Sequence, residues 1–564
     1  MRWTVKPVPD QNLVDTLNAE LGAGELVSRL LVQRGITTFE EARRFFRPSL
    51  DQLHDPFLMK DMDKAIVRIE EAIRNEENIL VFGDYDVDGT TAVSLLYSFL
   101  SSIYPNVACY IPDRYEEGYG VSIQGIDFAA DNDISLIIAL DCGIKAIDKV
   151  AYAKEKGIDF IIGDHHRPGD QLPDAVAVLD PKREDCNYPY DELCGCGVAF
   201  KIVQGLGGKL GLGIEDLMPY LDLVATAIAA DIVPITGENR VLAWYGLRII
   251  NSSPRPGIKA LTNQMQREFT MTDVVFIIAP RINAAGRMKH GLHAVNLMIE
   301  QDLDQAMQFA AEIEQYNADR KDLDEKITLE ALEQIREKSE EERYTTVVYN
   351  ELWHKGVIGI VASRLTETYY RPTLVFTKSG DKLAASARSV KDFDVYNALQ
   401  ACEDFIEQFG GHKYAAGLTL LEQQYEAFKK KFEEVVAETI DKRLLTPELS
   451  IDTVIDFEEI TPKFYRILKQ FAPFGPGNPS PVFMTTGLRD TGYAKGVGQD
   501  GKHLKIKVTQ NGSTAIDGIG FGLGDKLPDI TGRNVFAAAY ALDENEWQGR
   551  VSLQLKLKDV RLDF

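Results

Sequence analysis

No apolar run in this 564-residue sequence approaches the roughly 20 residues a helix needs to cross a bilayer, which excludes a helical membrane protein. Cysteine is scarce. Six of them (Cys109, Cys142, Cys186, Cys194, Cys196, Cys402) are too few and too scattered for a disulfide-built scaffold. The start, Met1-Arg2-Trp3-Thr4-Val5-Lys6, leads into polar sequence, so no signal peptide is expected and the thiols are expected to be reduced in a cytoplasm. Cys194-Gly195-Cys196 with Cys186 lacks a second paired motif, so zinc is not expected there. Positive charge is also short: 62 Lys and Arg face 86 Asp and Glu, a net charge of −24. That argues against a protein that coats nucleic acid by bulk electrostatics, but it permits a local basic groove on an acidic body. No internal repeat or low-complexity tract is present. With 45% hydrophobic residues the chain is ordinary globular material, too long for a single core.

What the sequence does have is four acid-rich clusters, each placed where an apolar run stops. Asp84-Tyr85-Asp86-Val87-Asp88-Gly89 follows Ile79-Leu80-Val81-Phe82. Asp141-Cys142-Gly143 follows Leu136-Ile137-Ile138-Ala139-Leu140, and Gly163-Asp164-His165-His166 follows Phe160-Ile161-Ile162. Asp231 closes Leu223-Val224-Ala225-Thr226-Ala227-Ile228-Ala229-Ala230. Such runs, alternating with helical patterns, read as buried parallel strands whose carboxyl ends converge on one crevice. Carboxylates and imidazoles gathered there repel one another unless cations sit among them, so a metal-dependent site is expected. For the first cluster alone an Asp-rich turn capping a helix is an equal reading. Two adjacent histidines behind another such run shift the balance toward ligation.

The fold class expected is α/β: a doubly wound parallel-sheet domain, a second smaller α/β domain joined to it by a long helix, and a C-terminal OB-like β-barrel. Residues 1–75 read as an N-terminal helical segment, with Thr38 and Glu41 spaced for a capping box. The catalytic domain is expected over 76–300 and a connecting helix over 301–343, where Gly and Pro are absent from 302 to 342. The substrate-binding domain is expected over 344–446, with strands at 344–349, 373–377 and 383–387 and helices after Gly359 and near 394–409. Alternating runs such as Leu504-Lys505-Ile506-Lys507-Val508 place the barrel in 447–564.

The four clusters resemble the motifs of the DHH phosphoesterase superfamily. Pro112-Asp113-Arg114-Tyr115, Gly197-Val198-Ala199-Phe200-Lys201, Pro280-Arg281-Ile282-Asn283-Ala284-Ala285-Gly286-Arg287, Trp353-His354-Lys355-Gly356, Phe409-Gly410-Gly411-His412 and Pro473-Phe474-Gly475-Pro476-Gly477-Asn478-Pro479 narrow the resemblance to the RecJ-like exonuclease family. Small-molecule phosphoesterases of the superfamily carry a His where this chain has Phe82, a difference that makes Asp84 a compensating ligand or catalytic group.

The resemblance implies metal ligands at Asp86, Asp88, Asp141, His165 and Asp231, with Asp84 and His166 as catalytic groups beside them. Two divalent ions, Mn2+ or Mg2+, held roughly 3.5–4 Å apart would activate water for in-line displacement at phosphorus. It implies substrate binding by Arg114, Arg281, Asn283, Arg287, Ser386, Arg388, Ser389 and His412, through guanidinium, hydroxyl and imidazole donors to phosphate. For any one arginine a structural ion pair is nearly as good a reading. Tyr115, Tyr119 and Trp353 are candidates for base stacking, each with core burial as the plainer alternative. The implied activity is 5′→3′ exonucleolysis of single-stranded DNA, with a single-strand-binding protein and a RecQ-type helicase as partners. The rivals are a short-oligonucleotide or cyclic-dinucleotide phosphodiesterase and a non-catalytic single-strand-binding scaffold.

Overall fold

The computed structural model describes all residues except Gln266, Arg533, Gln548, Asp563 and Phe564. Its first α/β domain is built on a five-stranded, wholly parallel sheet. The spatial order is Val107–Tyr110, Asn78–Gly83, Ile134–Leu140, Asp159–Gly163, Ala177–Leu179. The three inner strands are buried on both faces, which is why they read as continuous apolar runs. Chain order reverses between Asn78–Gly83 and Ile134–Leu140, so the crevice that opens at such a reversal lies between Asp84 and Asp141.

The run ending at Asp231 is not a strand. It forms the helix Leu221–Ala230, buried on nearly every side, with Asp231 as its C-cap. A helix without a polar face has no periodicity to distinguish it from a buried strand, and its alanines favour the helix. The carboxylate still reaches the sheet edge, from a helix end instead of a strand end.

One unbroken helix, Leu303–Glu337, leads to the second domain. There the sheet order is Gln408–His412, Ala415–Leu420, Lys382–Arg388, Thr373–Ser379, Thr346–Tyr349. Only the last pair is parallel, so the sheet is mixed. The helix expected near 394–409 is shorter, Val395–Gln400, and Phe409 belongs to an edge strand whose glycines let the backbone extend.

In the C-terminal region Phe483–Asp490, Phe536–Trp547, Arg550–Arg561, Ile516–Gly520 and His503–Gln510 pair in succession. A further pairing of His503–Gln510 with Phe483–Asp490 closes a five-stranded barrel. The N-terminal segment is not purely helical. Arg2–Val5 is a strand that pairs in parallel with Glu448–Ile451. The helices that follow bury Leu17, Val27, Leu30 and Leu31 against Ile455, Phe464, Phe471 and other core residues of the C-terminal domain. The helix Phe39–Phe46 has the expected capping box, with Thr38 accepting from Glu41 and the Glu41 carboxylate accepting from the Thr38 backbone.

Candidate active site

Asp84 leaves the strand Asn78–Gly83 fully buried, and its Oδ1 accepts from the Gly120 backbone N–H at 3.3 Å. Asp86 caps the helix Val87–Ile103, its Oδ1 accepting from Gly89 N–H at 3.1 Å. Asp88, in the first turn, accepts from the N–H groups of Gly195 at 2.6 Å and Cys196 at 2.7 Å, at the N-terminus of the helix Gly195–Lys209. Two glycines make this approach possible. A Cβ on Gly89 would lie 2.4 Å from the Asp84 carbonyl oxygen, and one on Gly195 would lie 2.5 Å from the Asp141 Cβ. Asp141 itself adopts a left-handed backbone, φ 58°, which Asp tolerates better than most residues.

His165 Nε2 lies 3.2 Å from Asp141 Oδ1 and 3.6 Å from both Asp88 Oδ2 and Asp231 Oδ2. The structure thus brings Asp88, Asp141, His165 and Asp231 to one point. His166 takes another direction. Its Nδ1 is 2.8 Å from Asp164 Oδ1 and its Nε2 is 3.1 Å from the Tyr119 hydroxyl. Asp164 also accepts from the backbone N–H groups of Ile144, His165 and His166, which orients both histidines.

Burial, then the neighbouring Asp86 charge, pushes the Asp88 carboxyl up to about 7. Burial, then Asp88 and Asp86, pushes Asp231 up to about 8. Asp84 and Asp141 are raised well above the carboxylate range by burial and then by adjacent carboxylates. His165 is held down at about 3 by burial and by His166, so it is a neutral imidazole with a lone pair to offer. Burial works against a charge on His166, but the Asp164 partner overcomes it and raises His166 to about 9.

Asp84 Oδ2, Asp141 Oδ1 and His165 Nε2 are buried without a hydrogen-bond partner. Unpaired buried acceptors facing one another carry a large penalty. A divalent cation removes it, and carboxylates with a neutral imidazole suit manganese or magnesium. The ligand-like atoms of Asp141, His165 and His166, and of Asp88, His165 and Asp231, lie within 4.8 Å of one another in each group. The residues present fit the expected ions.

A second cluster adjoins the first and has the opposite sign. The Arg114 guanidinium lies over the Tyr85 ring at 4.2 Å. Arg287 donates to the Gly356 carbonyl at 2.9 Å, and Tyr115 donates to the Arg287 carbonyl. Arg388 donates to Ser386 Oγ at 3.0 Å and to the Ala387 carbonyl at 2.7 Å, against the first turn of the helix Ile358–Tyr369. Burial, then the Arg114, Arg388 and Arg320 charges, holds Arg287 down at about 9. Among the described residues no carboxylate pairs with Arg114, Arg287 or Arg388. Asn283 is half-buried one turn before Arg287. His412 lies on the edge strand of the second domain, where partial burial and then the His166 and Lys145 charges disfavour its protonation.

Two expected substrate residues are engaged elsewhere. Arg281 donates to Glu314 at 2.5 Å and to the Ile277 carbonyl at 2.7 Å, which ties its helix to the long connector. The Ser389 hydroxyl donates to the Phe393 carbonyl at 2.9 Å and closes a turn. Trp353 is buried, donating to Glu330, whereas Tyr115 and Tyr119 are exposed.

Sequence reasoning gave no role to Asp180, which is fully buried after the strand Ala177–Leu179. Its Oδ2 is unpartnered and burial raises its carboxyl to about 7. The rule that found the other aspartates, an apolar run closed by Asp, also applies to Ala177-Val178-Leu179-Asp180. Arg320, in the middle of a long charged helix, gave no signal.

Residues 78–228 match the DHH family N-terminal domain, 343–438 the DHHA1 domain and 451–559 the RecJ OB domain. The single-stranded-DNA-specific exonuclease RecJ of Bacillus subtilis is 37% identical over 99% of this chain and 71% of its own length. The chain belongs to the RecJ family. Escherichia coli RecJ is 34% identical over 95% of both chains. The crystal structure of Thermus thermophilus RecJ in complex with Mn2+ superposes with a TM-score of 0.86 at 28% identity, covering 99% of this chain and 79% of that one.

Proposed function

We propose that this chain is a single-stranded-DNA-specific exonuclease that removes mononucleotides from the 5′ end with two divalent ions, Mn2+ or Mg2+. The observation that carries the reading is the adjacency of two unsatisfied clusters of opposite sign. One is an acid and imidazole cluster that needs cations; the other is an arginine cluster that needs an anion. A terminal phosphate in the second sets a phosphodiester beside the first.

Asp88, Asp141, His165 and Asp231 would hold one ion, and Asp86 and Asp84 would help to hold a second. When bound, such ions neutralise phosphoryl charge and lower the pKa of an attacking water. The chain's own groups do the rest. Arg114, Arg287, Arg388 and the Ser386 hydroxyl bind and orient the terminal phosphate through charge-assisted bonds. Asp164 holds His166 protonated, and its Nε2 proton can go to the leaving 3′ oxygen. The Tyr119 hydroxyl keeps that nitrogen aimed, and its exposed ring offers a stacking face to a base. A narrow passage between the two domains would admit an unstacked strand and exclude a duplex, which would give single-strand selectivity.

The test follows 5′- and 3′-labelled single-stranded and duplex DNA, and RNA, with Mg2+ or Mn2+. Early release of the 5′ label as mononucleotide supports the reading, and early release of the 3′ label overturns the polarity. On family resemblance we also propose a cytoplasmic location and association with a single-strand-binding protein and a RecQ-type helicase, to be tested by co-purification with each. No helix among the described residues is long and apolar enough to cross a membrane.

A further inference from the structure

Asp231 is the one proposed ligand carried at the C-terminal end of a helix, Leu221–Ala230. It ends its helix with its N–H on the Ala227 carbonyl, and the next residue, Ile232, has a left-handed backbone, φ 60°. For a β-branched residue that conformation is strained and persists only if its surroundings impose it. Ile232 is 65% exposed, so its own side chain does not impose it. The residues that follow Ile232 are held in a way that can impose it.

Those residues are gripped by the C-terminal domain. The Ile235 N–H donates to the Pro476 carbonyl at 2.7 Å. Gly475 lies so close that a Cβ there would meet Ile235 Cγ1 at 2.6 Å. Gly477, φ 72°, lies on Pro234 and Thr236, where a Cβ would meet them at 3.2 and 3.0 Å. From the catalytic side Asn239 Nδ2 donates to the Pro234 carbonyl at 3.0 Å.

The gripping turn is itself held by Arg240, in the first turn of the helix Gly237–Ser252. This buried guanidinium donates to the carbonyls of Phe45, Phe471, Ala472, Pro473 and Gln470 at 3.0–3.4 Å and lies 3.8 Å over the Phe45 ring. Among the described residues no carboxylate pairs with it. Asn478 binds the Phe471 and Pro473 carbonyls from the other side, and Arg34 binds Asn478. Catalytic domain, N-terminal helices and C-terminal domain therefore meet at the 470–479 turn, which contacts the chain four residues after Asp231.

We propose that Arg240 and the 470–479 turn are positioning elements for Asp231, so that the C-terminal domain is part of the metal-site scaffold as well as a strand-binding module. The inference rests on Asp231 being a ligand. Loosening the turn lets the strained backbone at Ile232 relax and moves the carboxylate off the cluster. Residues that orient ligands without touching the ion commonly change metal affinity by about tenfold to a hundredfold, and a shift of that size is expected here.

The experiment uses the full chain, stripped of metal, and titrates Mn2+ by calorimetry for wild type, Arg240→Lys, Gly477→Ala and Asp231→Asn, with circular dichroism to verify folding. Gly477 is exposed and its substitution adds one methyl group, so that variant decides the question even if Arg240→Lys fails to fold. The expected result is at least tenfold weaker Mn2+ binding by Gly477→Ala. Its exonuclease activity should be restored by raising Mn2+, with KM for a short oligonucleotide unchanged. Wild-type Mn2+ affinity in folded Gly477→Ala, with affinity lost in Asp231→Asn, overturns the positioning role alone. Wild-type affinity in Asp231→Asn overturns the ligand reading, and the positioning role with it.

Discussion

Arg388→Ala should cost exonuclease activity most on 5′-phosphorylated ends while leaving the free protein no less stable. The guanidinium donates to the Ser386 hydroxyl and the Ala387 carbonyl, and it shares its surroundings with Arg287 and Arg114. Like charges gathered without a carboxylate repel one another until an anion arrives. A terminal phosphate carries close to two charges, an internal diester one. Losing one charge-assisted contact costs on the order of 1.5–3 kcal/mol, roughly a tenfold to hundredfold drop in kcat/KM. A 5′-hydroxyl end offers this arginine less, so its cleavage should fall by a smaller factor. Removing one of several like charges should also hold or raise Tm. The assay compares kcat/KM on one oligonucleotide with either end at saturating Mn2+, beside a thermal melt. Equal losses on both ends, or a lowered Tm, would refute the reasoning.

Arg281→Ala should behave differently. It breaks a partly exposed ion pair with Glu314, so stability should fall by up to about 1 kcal/mol, and a kinetic comparison of the two ends should show no preference. Gly89→Ala sets a methyl group 2.4–2.7 Å from Asp84 backbone atoms that cannot swing aside. A destabilisation of about 1–3 kcal/mol in denaturant melts is expected, with near-complete loss of turnover. Deleting 448–564 should expose Leu17, Val27, Leu30 and Leu31 and give an aggregating protein, measurable by light scattering. Finally, Asp88 and Asp231, raised by burial and crowding to about 7 and about 8, bind protons in the folded state that the unfolded chain releases. Their contribution to the cation-free protein is fully present below the ordinary carboxylate range and is lost as pH rises through about 8. Melts from pH 5 to 9 should fall more steeply with chelator than with Mn2+, and parallel curves would contradict the cluster's crowding.

The parts of the site that were legible in the sequence are those encoded locally. An apolar run closed by Asp is complete within ten residues, so Asp84, Asp86, Asp88, Asp141 and the His165-His166 pair could be read directly. Asp231 was found by the same pattern although its run is a helix, because burial on all sides erases the periodicity that separates the two. Arg281 and Arg287 share one motif and one helix. Only the position of Glu314 on the connector, 33 residues away, decides that the first makes an ion pair and the second joins the arginine cluster.

What stayed hidden is everything that depends on chain segments meeting from far apart. Arg2–Val5 completes a sheet with Glu448–Ile451, and Arg34 reaches Asn478 across 444 residues. Neither pairing has a local signature, since an edge strand and a surface arginine look alike whatever they meet. The same holds for the turn at 470–479. Its prolines and glycines read only as a loop, yet Gly475 and Gly477 are needed because backbone and side chains of 234–236 occupy the space a Cβ would take. Domain boundaries drawn along the sequence separate the acidic cluster from the barrel. In space residues 234–236, just after Asp231, pack against Gly475 and Gly477, so the end of the Asp231 helix and the C-terminal turn share one junction.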